Sequence, residues 1–142
     1  SAVHAAVEYR PGVTEADTPA ARALALGAGV CQDHAHVFVA AARLLGAPAR
    51  YVAGYLLASE DADDLHETHA WAEAHVEGLG WVGFDPSADV CPTERYVRLC
   101  SGLDARAAAP IRGSVGGAAA ETLEARVDIA PLAEETRSQS QQ

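Results

Sequence analysis

The chain contains no lysine, no methionine and no asparagine, and its ten basic residues are all arginine, set against twenty acidic ones. A formal net charge of −10 leaves no basic patch for phosphate, which argues against a nucleic-acid partner and predicts repulsion from anionic membranes. No stretch approaches the roughly 20 apolar residues of a spanning helix, and nothing at the first residues reads as a secretory leader. The three cysteines, Cys31, Cys91 and Cys100, are an odd number without paired spacing. A disulfide framework is therefore not expected, and a reducing, cytoplasmic compartment is. Internal repeats are absent. Ser1 stands where Met would open a complete chain, so we expect the C-terminal part of a longer protein.

What is present suits one globular domain: 142 residues, 49% hydrophobic and 21% charged. We expect this domain over residues 1–132 and a flexible tail, AEETRSQSQQ, over 133–142. Residues 3–9 read as a helix. TEADTPAARALALG carries a start signal, an early proline and a glycine stop for a second helix. A third opens at Cys31, is apolar on nearly every face from Val37 to Leu45, and closes at GAP, residues 46–48. ARYVAGYLLA (49–58) reads as a strand, 59–67 as an acidic solvated loop, and HAWAEAHV and WVGFDP as a hairpin around EGLG. RYVRLC (95–100) and ETLEARVDIAPL (121–132) read as further strands, the latter after a Gly/Ala linker at 113–120. Helices followed by strands predict an α+β domain with an antiparallel sheet packed on the central helix.

A thiol attacks carbonyl carbon as thiolate, which a helix N-terminus and a neighbouring imidazolium both favour. Cys31 follows Gly27 and Gly29 at the start of the third helix. His69 begins the first hairpin strand and Asp85 ends the second, so antiparallel pairing carries them to one edge of the sheet. Alternation puts His69, Trp71, Glu73 and His75 on one face, with Trp81, Gly83 and Asp85 able to share it. Cys31, His69 and Asp85 thus make a coherent Cys-His-Asp set. Cys91 and Cys100 read as structural. Asp33 reads as a helix-start cap or a structural hydrogen-bond partner, His36 as a core histidine against the sheet, His66 and His75 as exposed or at an edge, and Trp71 and Trp81 as core or cleft walls. Glu73 divides evenly between supporting His69 and facing solvent. A metal site is disfavoured, because His34 and His36 point to different sides of a helix and no CxxC or HExxH pattern occurs.

The segments VEYRPGVTEADTPA, GVCQDHAH, ARYVAGYL and THAWAEAHVEGLGWVGFDPS resemble the bacterial branch of the transglutaminase-like superfamily of papain-related cysteine enzymes, over roughly residues 3 to 113. The resemblance implies a papain-like α+β core with Cys31 as nucleophile, His69 as general base and acid, and Asp85 as the carboxylate orienting it. It also implies acyl transfer from a peptide or other amide, through a thioester, to water or to an amine, with no cofactor. Tyr9 is a candidate to help the Cys31 backbone N–H bind an oxyanion. His34 departs from the pattern, since such proteins commonly carry an aromatic residue there. A cross-linker deacylates by lysine attack and commonly modifies itself, whereas this chain has no side-chain amine to offer. Hydrolysis is the expected outcome, with protein-glutamine transamidation and a catalytically silent interaction module as the alternatives.

Overall fold

Cys31, Ala35, Phe38, Val39 and Ala42 recur at helical spacing, so one stripe of a helix is apolar and must be covered. In the computed structural model, which describes residues 1–57 and 66–111, that stripe belongs to α3 of the series α1 (Ala2–Ala6), β1 (Glu8–Tyr9), α2 (Ala20–Leu26), β2 (Ala28–Gly29) and α3 (Cys31–Leu44). The strands β3 (Ala49–Leu57), β4 (His66–Val76), β5 (Gly80–Phe84) and β6 (Tyr96–Gly102) follow and form an antiparallel sheet in the order β5-β4-β3-β6. The linker at 113–120, the strand at 121–132, the tail and most of the acidic loop lie outside the described residues.

Two clusters bind α3 to the sheet. Cys31 and Ala35 pack with Tyr51 and Ala70, and Val39 packs with Ala49, Ala72 and Ala74. Alanines at these alternate strand positions keep the side-chain layer thin, so the helix lies close to the backbone. Val39, 3% exposed, contributes about 1.5–3 kcal/mol by its burial.

The first helix is shorter than the sequence suggested. Residues 8 and 9 are a strand, because Glu8 and Arg10 donate N–H bonds to the carbonyls of Gly27 and Gly29, at 2.9 and 2.8 Å. A helix of one turn cannot outweigh that pairing. This parallel β1–β2 ladder fastens the N-terminal segment beside the start of α3. Gly29 has no room for a side chain there, since a Cβ would stand 2.7 Å from the Cβ of Asp33.

The hairpin register pairs Ala72 with Phe84 and His75 with Trp81. His69 therefore lies three residues inside β4 rather than at its start, and Asp85 lies one residue past β5, in a bridge with Val90. Both odd-numbered sets still share a face, as alternation requires. A bulge in the β3–β6 pairing falls between Ala53 and Gly54, and at Gly54 a Cβ would stand 2.1 Å from the Val97 carbonyl and 2.7 Å from the Trp71 ring.

Candidate active site

Cys31 is the first residue of α3, where helical N–H groups lack intrahelical acceptors. Its neighbours hold that turn in place. Asp33, 3% exposed and in the first turn of α3, reaches back to accept the Val30 N–H at 2.8 Å and also accepts the Thr14 hydroxyl at 2.6 Å. His34, fully buried, spans from the Val30 carbonyl at 2.9 Å to the Val7 carbonyl at 2.8 Å. The residue that replaces an aromatic thus ties the N-terminal segment to the turn before Cys31.

His69 Nε2 donates to Asp85 Oδ2 at 2.6 Å, and the same imidazole lines one cavity with the Cys31 thiol. The Asp85 side chain is fully buried and that of His69 nearly so. Burial alone would lower the His69 pKa; the hydrogen bonds to Asp85 and Cys31 and their charges overcome it and raise it to about 9. Burial would raise Asp85, but bonds from His69, Ser87 and Tyr96 with the imidazolium charge bring it down to about 2.

Every lone-pair direction of Asp85 is engaged. Oδ1 accepts the Ser87 N–H and hydroxyl at 2.9 and 2.6 Å, while Oδ2 is shared between His69 and the Tyr96 hydroxyl at 2.9 Å. Ser87 was readable in the sequence, since Asp followed two residues later by Ser is an Asx-type turn. Tyr96 was not, because it arrives from β6 on the far side of β3. Burial, then its bond to Asp85, pushes the Tyr96 phenol upward, so it remains a donor. Trp71, 2% exposed, lies against both partners, its ring centroid 6.3 Å from that of His69 and 5.4 Å from that of Tyr96.

The other sequence candidates fall elsewhere. Glu73 accepts from Arg50 at 2.6 Å and is ion-paired with Arg98 at 3.3 Å, a role away from His69. Trp81 is 45% exposed beneath the Arg50 guanidinium and walls an open pocket with Arg43 and Arg50, away from Cys31 and His69. His36 is half-buried, its ring 4.7 Å from that of Tyr51, and His75 is exposed. Cys91 is exposed, Cys100 half-buried, and both are free thiols. Tyr9 is half-exposed and is not among the described residues lining the space beside Cys31. No group of three or more potential metal ligands gathers among the described residues.

That space is a cavity of about 260 Å³ lined by Cys31, Gln32, Tyr51, Tyr55, His69 and Pro110, among others. None of its described lining residues is Asp, Glu or Arg. A larger cavity of about 630 Å³ lies at the other end of α3, against Phe38, Leu45 and Phe84, and touches neither Cys31 nor His69. Chemistry follows the converging polar groups, so the smaller cavity is the candidate site.

A family model of the transglutaminase-like superfamily matches residues 1–86, and the chain belongs to that superfamily. An uncharacterized protein of Mycobacterium leprae is 37% identical over 131 residues, covering 89% of this chain and 46% of its own length. An uncharacterized protein of Mycobacterium tuberculosis is 30% identical over 142 residues, covering 93% and 45%. The crystal structure of a "putative cysteine protease" from Cytophaga hutchinsonii matches with a TM-score of 0.65 and 36% identity, over 75% of this chain and 35% of that one. The chain spans less than half the length of each of these relatives. Among the described residues no helix is long and apolar enough to cross a membrane.

Proposed function

We propose that the chain carries a cysteine-dependent amide hydrolase centre, with Cys31 as nucleophile, His69 as proton carrier and Asp85 as the carboxylate that orients it. One observation carries this reading: a single imidazole bonded to a buried carboxylate, at 2.6 Å, shares its cavity with a thiol heading a helix. The Asp85 bond occupies Nε2, which leaves Nδ1 for the thiol and fixes the ring's orientation. In the reaction, Sγ adds to the amide carbon and the C–N bond breaks as the leaving amine takes a proton from His69. The neutral ring then draws a proton from water, which attacks the thioester and releases the carboxylic acid and the Cys31 thiolate. Family membership and the structural neighbour named as a cysteine protease support a cysteine enzyme, and the absence of lysine and the water-accessible cavity favour hydrolysis over amine transfer.

Brief iodoacetamide treatment near neutral pH tests the nucleophile. Accessibility alone would make the exposed Cys91 the fastest thiol, since Cys31 is 8% exposed. The proposed ion pair reverses that order, and mass spectrometry should find Cys31 labelled first; equal or faster labelling of Cys91 removes it as nucleophile. Offering glutamine- or amide-containing peptides with a primary-amine probe then separates the outcomes. Release of free acid should exceed probe incorporation, and the reverse would make the activity transamidation.

A further inference from the structure

Acyl transfer through a thioester passes twice through a tetrahedral intermediate whose oxygen is negatively charged, and the backbone N–H of Cys31 is one donor suited to it. A second donor has to come from the cavity wall. Tyr51 sits there on β3, packed in the same cluster as Cys31 and 2% exposed. No hydrogen bond from the described residues reaches its phenolic oxygen. No fully buried polar side-chain atom among the described residues lacks a partner, so this oxygen is not sealed in the core. Tyr51 lines the cavity that it shares with Cys31 and His69.

We infer that the Tyr51 hydroxyl is the second oxyanion donor of this site, an inference that rests on Cys31 being the nucleophile. The ring is preorganised: His36 lies against it at 4.7 Å, and Ala35 and Ala70 pack in the same cluster. Burial, with the neighbouring Cys31 and Asp33, pushes its ionisation upward, so the phenol keeps the proton it would donate. Gln32 and Tyr55 also line the cavity, but Gln32 is exposed and Tyr55 half-buried, and neither belongs to the Cys31 cluster. Tyr9, the candidate named from the sequence, does not line it.

Two probes that react with the same thiol separate this role from others. p-Nitrophenyl acetate is attacked at a carbonyl and develops an oxyanion; iodoacetamide is attacked at a saturated carbon and develops none. Tyr51→Phe should slow acylation of Cys31 by the ester on the order of 100-fold while leaving its alkylation rate unchanged. Its thermal midpoint should stay close to that of the unaltered protein, because no hydrogen bond among the described residues is lost. An unchanged ester rate in Tyr51→Phe overturns the inference, as does a loss found instead in Gln32→Ala or Tyr55→Phe. Equal slowing of both probes would mean that Tyr51 acts on the thiol and not on the oxyanion, which also overturns it. If the unaltered protein is not acylated at Cys31 at all, it is the nucleophile assignment that fails.

Discussion

The two faces of the central sheet divide the work of this molecule. Toward α3 the strands present Ala49, Ala53, Ala70, Ala72 and Ala74, small side chains that admit a helix at close range. The opposite alternation carries Arg50, Trp71, Glu73, Trp81 and, at the level where β5 has already ended, His69. The helix-facing side is fitted with small residues except for Tyr51 beside Cys31, and the other carries the charged and most of the aromatic reach. The difference teaches that a substitution's consequence depends on the parity of its position: even-numbered residues of β4 govern whether the helix docks, and odd-numbered ones what the site can do.

Breaking this division should be hardest at Asp85. Asp85→Asn keeps the shape but loses the charge, so a folded variant should lose on the order of 10⁴-fold in kcat on an active amide. Trp71 and Trp81 fluorescence supplies the folding control, and a kcat within tenfold of normal would detach Asp85 from the chemistry. Next in size is the stability held in the His69–Asp85 pair. His69 is raised, so its contribution is complete below about pH 6.5 and is lost as pH rises toward about 9. Asp85 is lowered, so its contribution is complete above about pH 4 and is lost as pH falls toward about 2. Urea midpoints should therefore plateau between those limits, with an alkaline decline worth a few kcal/mol that His69→Ala flattens. A decline that persists in His69→Ala would belong to other groups.

On the helix-facing side, Ala72→Leu inserts three carbons at a position with no exposure, and should destabilise by about 1–3 kcal/mol through overpacking. Once the variant is confirmed folded, Cys31 alkylation should be nearly unchanged; a preserved urea midpoint would show that the helix does not lie as close as the alanines imply. The smallest effect is expected at Arg50→Ala. Arg50 is partly solvated, bonded to Glu73 at 2.6 Å and stacked over Trp81 at 4.1 Å. Glu73 retains Arg98, so the loss should be about 1 kcal/mol or less with turnover unaltered. A larger drop in turnover than in stability would extend the functional part of this face from His69 as far as Arg50.

By itself the sequence determined the elements whose signals are local. Gly27, in a left-handed conformation at φ 64°, ends α2, and Cys31 heads the next helix. Strand alternation sets Asp85 on the side of His69, because a period of two is imposed by the pleat and survives errors of a few residues in where strands begin. Only the tertiary structure decided what meets across elements. β6 lies beside β3, which delivers Tyr96 to Asp85 from eleven residues away, and β1 pairs with β2, turning residues read as helix into a strand beside the Cys31 turn. Folding against α3 places Tyr51 in the wall of the thiol's cavity, while Tyr9 stays half-exposed and outside it. Periodicity records which face a side chain takes within its own element; it carries no record of strand order, and strand order sets which side chains converge on one carboxylate.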